Sequence, residues 1–144
     1  MAMTMHVNIV SAEAEIFSGT CEQVFAPAEM GEVGIYPRHT QMLTQLKPGE
    51  IRVVKEGGDE EFYFVSGGML EVQPHVVTVL ADTAVRAKDL DEAQAIEAKK
   101  RAEQALKDRQ GDMDYARAEA ELAEAVAQLQ TIQRMRRKYG GQRS

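Results

Sequence analysis

Three histidines (His6, His39, His75) and a single cysteine (Cys21) are the nitrogen and sulfur side chains of this 144-residue chain that would suggest a transition-metal site. A structural metal site usually takes its ligands in close pairs, C-x-x-C or H-x-x-x-H, so that one turn or helix face presents two at once. Here the histidines stand more than thirty residues apart and no such pair occurs. No metal is expected. Covalent and acid–base chemistry fare no better, because the nucleophile elbow, the phosphate-binding loop and the paired-carboxylate signature are all missing. Gly31-Glu32-Val33-Gly34 is too short for a nucleotide fingerprint and reads as a turn. Cys21 excludes an intrachain disulfide, requires no oxidising compartment, and fits a small core residue of a strand. A stand-alone enzyme would need a constellation assembled only in space, and no motif supports one.

Charge narrows the partners. The net charge of −6 argues against a dedicated nucleic-acid binder. The average conceals a split: residues 1–85 hold 12 acids and 4 bases, whereas residues 86–144 hold 11 acids and 13 bases. The last 11 residues carry five bases (Arg134, Arg136, Arg137, Lys138, Arg143) and no acid. Some of that excess complements a helix C-terminal dipole, and the remainder suits docking on an acidic protein surface. No segment approaches the ~20 apolar residues of a membrane span, and the start lacks a charged stretch followed by an apolar one. A soluble cytosolic protein is expected.

The elements that must carry these residues change type near residue 86. All four prolines and eight of eleven glycines precede it, while twelve alanines lie between Ala87 and Ala127. The first part therefore reads as short strands: Thr4–Val10, Glu22–Ala26, Ile51–Glu56, Glu61–Ser66, Met69–Gln73 and Val76–Ala81. In the last of these Val77 and Val79 face one side and Thr78 the other. Gly57-Gly58-Asp59, Gly67-Gly68 and Gln73-Pro74-His75 punctuate the strands at hairpin spacing. So many short strands in ~85 residues imply a compact sandwich or flattened barrel. Gly31–Leu46 reads as a long surface loop, and its Ile35, Tyr36, Met42 and Leu43 fit equally an apolar tuck onto the sandwich or a contact loop.

The second part reads as two antiparallel helices. Asp89 with Glu92 fits a capping box opening the first, which runs to about Asp108. Arg109-Gln110-Gly111-Asp112 is a turn, with Asp112 or Asp114 as the next cap, and the second helix runs from about Met113 to Lys138 before Gly140-Gly141. The inner stripes are Ala95, Ala98, Ala102, Ala105 on the first and Ala118, Leu122, Ala125, Leu129, Ile132 on the second. An alanine seam buries only methyl groups and, at roughly 25 cal/mol per Å², stabilises far less than a leucine seam. A long, lightly held hairpin is suited to having two states.

In order and spacing, MHVNIVSAEAEIFSG, GEVGIYPRHTQMLT, KPGEIRVV, VSGGMLEVQPHVVTVLADTA and DLDEAQAIEAKKRAEQAL resemble the epsilon-subunit family of bacterial F-type ATP synthases over essentially the whole chain. The resemblance implies a β + α fold: a ten-stranded β-sandwich over residues 1–86, then an antiparallel two-helix hairpin over 87–144. It implies a non-catalytic rotor subunit of the central stalk, coupling proton translocation to ATP synthesis at the cytoplasmic face of the bacterial inner membrane, as a peripheral protein. The implied partners are the gamma subunit, the ring of c subunits (the c-ring) and the alpha/beta catalytic head, with no nucleic acid.

Residue by residue, the resemblance places Glu32 at the c-ring and Ser11, His39 and Thr44 toward the gamma subunit. The hairpin corresponds to a regulatory element that extends to oppose ATP hydrolysis, with Arg134, Arg136, Arg137 and Lys138 docking on the beta subunits. Some members bind ATP through Ile/Leu-Asp-x-x-Arg-Ala. Leu90, Asp91 and Ala95 match it, but Gln94 replaces the arginine and cannot offer a cationic fork to phosphate, so weak or no ATP binding is expected and no cofactor is implied. A nucleotide-sensing module is the competing possibility that Gln94 counts against. Arg38 stands where glycine is frequent and Gln41 where proline is.

Overall fold

Strands whose alternate residues are apolar can cover a core with one face only, so a sheet built from them must fold back on itself or close. The computed structural model, which describes residues 3–108 and 111–140, has ten such strands in the unit Met1–Ala87. They are β1 (Met5–Ser11), β2 (Glu15–Cys21), β3 (Gln23–Ala28), β4 (Gly31–Ile35), β5 (Met42–Leu46), β6 (Gly49–Val54), β7 (Glu60–Val65), β8 (Gly68–Val72), β9 (Val76–Ala81) and β10 (Ala84–Arg86). They form one sheet in the order β10-β7-β6-β3-β5-β8-β9-β1-β2, with β4 beside β3. All pairings are antiparallel except β1 with β9. The halves meet at a single bridge, Ala28 opposite Leu46, where the sheet turns its corner.

The core is filled by the inward residues: Val7 and Ile9 of β1, Val24 and Ala26 of β3, Ile51 and Val53 of β6, Leu70 and Val72 of β8, Val77 and Val79 of β9. Tyr63, fully buried, fills the centre of β7. Cys21 is likewise fully buried, as its strand position predicts. The period-2 expectation for β9 holds, with Val77 and Val79 inside and Thr78 half-buried.

Gly31–Leu46 is not one loop. It is β4, a six-residue turn over 36–41, and β5. Two glycines hide β4 in the sequence, and one of them has a packing reason. Gly34 pairs with Phe25, and a Cβ there would stand 3.0 Å from the phenyl ring. Strands β2 and β10 also escape the sequence pattern. The first alternates weakly because it is a sheet-edge strand, and the second is only three residues long.

The unit Lys88–Ser144 holds α1 (Glu92–Lys107) and α2 (Asp112–Gly140). Asp89 does not cap α1; it ends a single 3₁₀ turn, Ala87–Asp89. The cap is Asp91, extended at φ −93° and ψ 108°, whose Oδ1 accepts from Gln94 N–H at 3.2 Å. The 3₁₀ turn holds Asp89 in the wrong conformation for the task, two residues too early. At α2 the first carbonyl to accept is that of Gly111, bonded by Tyr115 N–H at 3.0 Å, so Gly111 holds the cap position, one residue before Asp112 and three before Asp114. Arg109, Gln110 and Gly141 lie outside the described residues. The seam consists of Ala95 and Ala102 against Ala118, Ala125 and Ile132, all buried. Ala98, Leu122 and Leu129 are half-buried, and Ala105 is exposed while Leu106 beside it is half-buried. The seam thus shifts by one residue where the helices approach their turn. Among the described residues no helix is long and apolar enough to cross a membrane.

Gly68 is fixed by close approach to backbone. Gly68 has φ +135°, and a Cβ built on it would lie 2.1 Å from the Leu80 carbonyl oxygen. Gly57 has φ +97° but open space around it. Gly68→Ala should cost about 3 kcal/mol or more, and Gly57→Ala only about 1 kcal/mol, read from denaturant midpoints. Equal small costs would mean that β8 and β9 do not approach as described.

Candidate functional site

The turn over 36–41 and the tip between β3 and β4 occupy opposite ends of the sandwich. At one end Arg38 N–H donates to Pro74 O at 2.8 Å and His6 N–H to His75 O at 2.9 Å. At the other, Glu29 N–H donates to Gln45 O at 3.0 Å and Lys47 N–H to Pro27 O at 3.0 Å. The registers Ser11–Ala81, Ala81–Gly68, Gly68–Leu46 and Leu46–Ala28 align Ser11 with the second end.

The predicted contact residues therefore do not form one cluster. Ser11 closes β1, where its Oγ accepts from Glu13 and Ala14 N–H at 3.3 Å. His39 lies in the turn at the far end, its Nδ1 2.7 Å from Thr40 O. Thr44 lies in β5 on the face shared by Met42 and Leu46 and is half-buried. Glu32, exposed in β4, pairs with Pro27 next to the tip. Ser11 and Thr44 thus lie in the half of the sheet from β5 to β2, His39 lies in the turn before β5, and Glu32 lies in the other half, on β4 beside β3.

Two exposed apolar side chains, Met30 and Leu80, were not singled out from the sequence as contact residues, whereas Tyr36 and Leu43 belong to the stretch read there as a tuck or a contact loop. Met30, 98% exposed, crowns the β3–β4 tip, and Leu80, 49% exposed, points outward from β9. Leu80 pairs with Met69 on one side and Val10 on the other, so an apolar row crosses three strands on the outer face. Leu43 on β5 is 67% exposed, and Tyr36 52%. Within the stretch that carries them, Ile35 is buried and Met42 packs on the core. Two of its four apolar residues tuck in and two stay out. In a strand, outward large apolar residues next to inward ones blur the alternation, which is why the row was not legible. Arg38 adopts φ +66°, the one described non-glycine residue in that region, which accounts for a position where glycine is frequent.

A polar network joins the sheet's two terminal strands. Arg86 of β10 donates through Nη2 to Ile16 O of β2 at 3.2 Å, and through Nη1 to Tyr63 Oη at 3.2 Å. Tyr63 Oη donates to Glu61, whose other oxygen lies 2.5 Å from Lys55 Nζ. Phe17 of β2 stacks at a tilt on Tyr63, centroids 5.8 Å apart. Burial pushes the Glu61 carboxyl up, but hydrogen bonds from Lys55 and Tyr63 and the charges of Lys55 and Arg86 outweigh it and hold it below its ordinary value. The network therefore contributes fully at neutral pH, and its contribution fades as the pH falls through that lowered value. Burial and the Glu61 carboxylate both push the Tyr63 phenol up, so it stays a donor.

On the helical unit, the residues matching the nucleotide motif already have structural work. Asp91 caps α1, and Ala95, 1% exposed, sits in the seam. Arg134, Arg136, Arg137 and Lys138 are exposed on the last turns of α2. Arg136 pairs with Glu92 at the start of α1, tying the open end of the hairpin. Among the described residues no group of three or more metal-binding side chains occurs. Burial raises the Cys21 thiol to about 11. Its alkylation in the native chain at pH 8 should run at least about 100-fold slower than for a free thiol. Labelling at the free-thiol rate would contradict its placement in the core.

Family models for the ATP synthase Delta/Epsilon chain match nearly the whole chain: the beta-sandwich domain over residues 4–87 and the long alpha-helix domain over 88–133. The ATP synthase epsilon chain of Nitrosococcus oceani is 71% identical over 140 residues, covering 97% of this chain and 100% of the relative. That of Thioalkalivibrio sulfidiphilus is 67% identical over 138 residues, covering 95% and 98%. Among solved structures, a chain of the Euglena gracilis mitochondrial ATP synthase has the same fold at a TM-score of 0.79 and 21% identity, over 86% of this chain and 78% of that one. A chain of the Tetrahymena thermophila mitochondrial ATP synthase central stalk and c-ring aligns at 0.57 and 15% identity, over 89% and 96%. Both halves of the fold, their order and their sequences agree, and the chain belongs to the ATP synthase delta/epsilon chain family.

Proposed function

We propose that this chain is the epsilon-type subunit of a proton-translocating ATP synthase, a non-catalytic part of its rotor. End-to-end identity of 71% to an ATP synthase epsilon chain carries the proposal. The geometry adds what each unit would do. A sandwich with one continuous core is stiff, as a part that transmits torque must be. Its outward row of Met69, Leu80 and Val10 is apolar surface suited to a partner protein, here the gamma subunit. Ser11 and Thr44 lie in the same half of the sheet, with His39 in the turn before β5, and would border that contact. The Glu29-Met30 tip, with Glu32 next to it, would rest on the c-ring. The subunit would then be peripheral, held at the cytoplasmic face of the membrane through its complex.

The helical unit would regulate. Its seam is mostly alanine, and each buried methyl contributes about 0.8 kcal/mol against 1.5–3 for a leucine side chain. A differential affinity of a few kcal/mol for the catalytic head is enough to shift such an element between two states. Arg134, Arg136, Arg137 and Lys138 would supply that affinity on acidic surface of the beta subunits. ATP has no part in this proposal, because Gln94 offers no cation and Asp91 already serves as a cap.

Reversing all four bases to glutamate should leave the chain co-purifying with the gamma subunit from native membranes and raise ATP hydrolysis by the complex severalfold. Loss of co-purification by the unaltered chain would sink the rotor assignment. Unchanged hydrolysis by the reversed chain would leave the basic end without a docking role.

A further inference from the structure

The network around Arg86 lies where the sandwich ends and the link to the helices begins. Strand β10 is three residues long, pairs with β7 alone, and is followed directly by the 3₁₀ turn Ala87–Asp89. A strand this short on a sheet end is held weakly by its ladder and frays readily. Yet its last residue makes more tertiary contacts than a terminal strand needs. The Arg86 guanidinium donates to Ile16 O and Tyr63 Oη at 3.2 Å, lies 3.6 Å from Glu61 Oε2 and sits 5.4 Å from the Tyr63 ring centre. Lys55 completes the set, 2.5 Å from Glu61 and 5.7 Å from the Phe17 ring. These contacts come from both terminal strands of the sheet path, β10 and β2, so they close the sheet and pin β10 together.

We propose that Arg86 is a clasp that fixes β10 against β7 and β2 and so sets the length of the tether to the helical unit. With the clasp shut the tether is Ala87–Asp91, five residues, spanning at most about 18 Å. With β10 peeled away it gains Ala84–Arg86 and about 10 Å of reach. The clasp thereby limits how far the helices can travel from the sandwich. This rests on the regulatory role proposed above for the helices, but the clasp itself is tested without it.

The test uses the full chain carrying Arg86→Gln, and separately Tyr63→Phe, which keeps the buried ring and removes the hydroxyl donor. Hydrogen exchange at the amides of Ala84–Arg86 should quicken at least tenfold in both, with β1, β8 and β9 unchanged. The concentration of chain that half-inhibits ATP hydrolysis by an epsilon-depleted catalytic head should fall at least threefold. Unchanged exchange at β10 in both variants would overturn the clasp. Faster exchange at β10 with unmoved half-inhibition would overturn its control of the tether. If the unaltered chain does not inhibit at all, the regulatory reading fails, and the exchange result still decides whether the clasp exists.

Discussion

One apolar core must be enclosed by one sheet, and most features of the sandwich follow from that constraint. Because alternate residues of each strand point inward, the sheet has to bend until its two halves face each other. It bends where β3 and β5 share only the Ala28–Leu46 bridge, leaving little ladder to resist. Close approach on that path excludes side chains at set points. A Cβ on Gly49 would stand 2.7 Å from the Pro27 ring, and one on Gly68 would collide with the backbone of β9. The same bend brings β2 toward β10, the two ends of the path. Their unpaired edges would invite association with other strands, and Arg86, Tyr63 and Phe17 cover the gap between them.

The two units differ in what their cores bury. The sandwich buries Ile, Leu, Val and Tyr side chains from nearly every strand, so small displacements there are costly. The hairpin buries alanines along most of its seam, with Ile132 toward its open end and the exposed Arg136–Glu92 ion pair across that end. Exposed pairs of this kind are worth about 0–1 kcal/mol and are screened by salt. The proposed roles, one part carrying load and one changing state, need opposite energetics, and the change of residue types near position 86 would supply both in one chain.

Much of this was legible from residue types. Strands such as β9, with regular inward valines, and the alanine-rich helices announce themselves. The full burial of Cys21 also follows from its setting. Strands β4 and β5 were hidden because glycine at Gly34 makes room for Phe25 and because Leu43 and Gln45 both face outward. Asp89 and Asp91 are equally good caps by type. Only the 3₁₀ turn before α1 decides between them, and that depends on where β10 ends. The clasp was illegible for a stronger reason. Ile16, Lys55, Glu61, Tyr63 and Arg86 come from distant parts of the chain, and only the closed sheet brings them together. Ser11, His39, Thr44 and Glu32 came from family resemblance, and the fold distributes them over both halves of the sheet rather than into a pocket.

In the proposed function the sandwich couples and the helices regulate. The direct measurement is ATP hydrolysis by a catalytic head depleted of this subunit, with either the full chain or a chain ending at Ala87 added back. The account predicts that both bind the head's gamma subunit while only the full chain suppresses hydrolysis. Equal suppression by the two would contradict it, because the helical unit would then have no part in controlling the head.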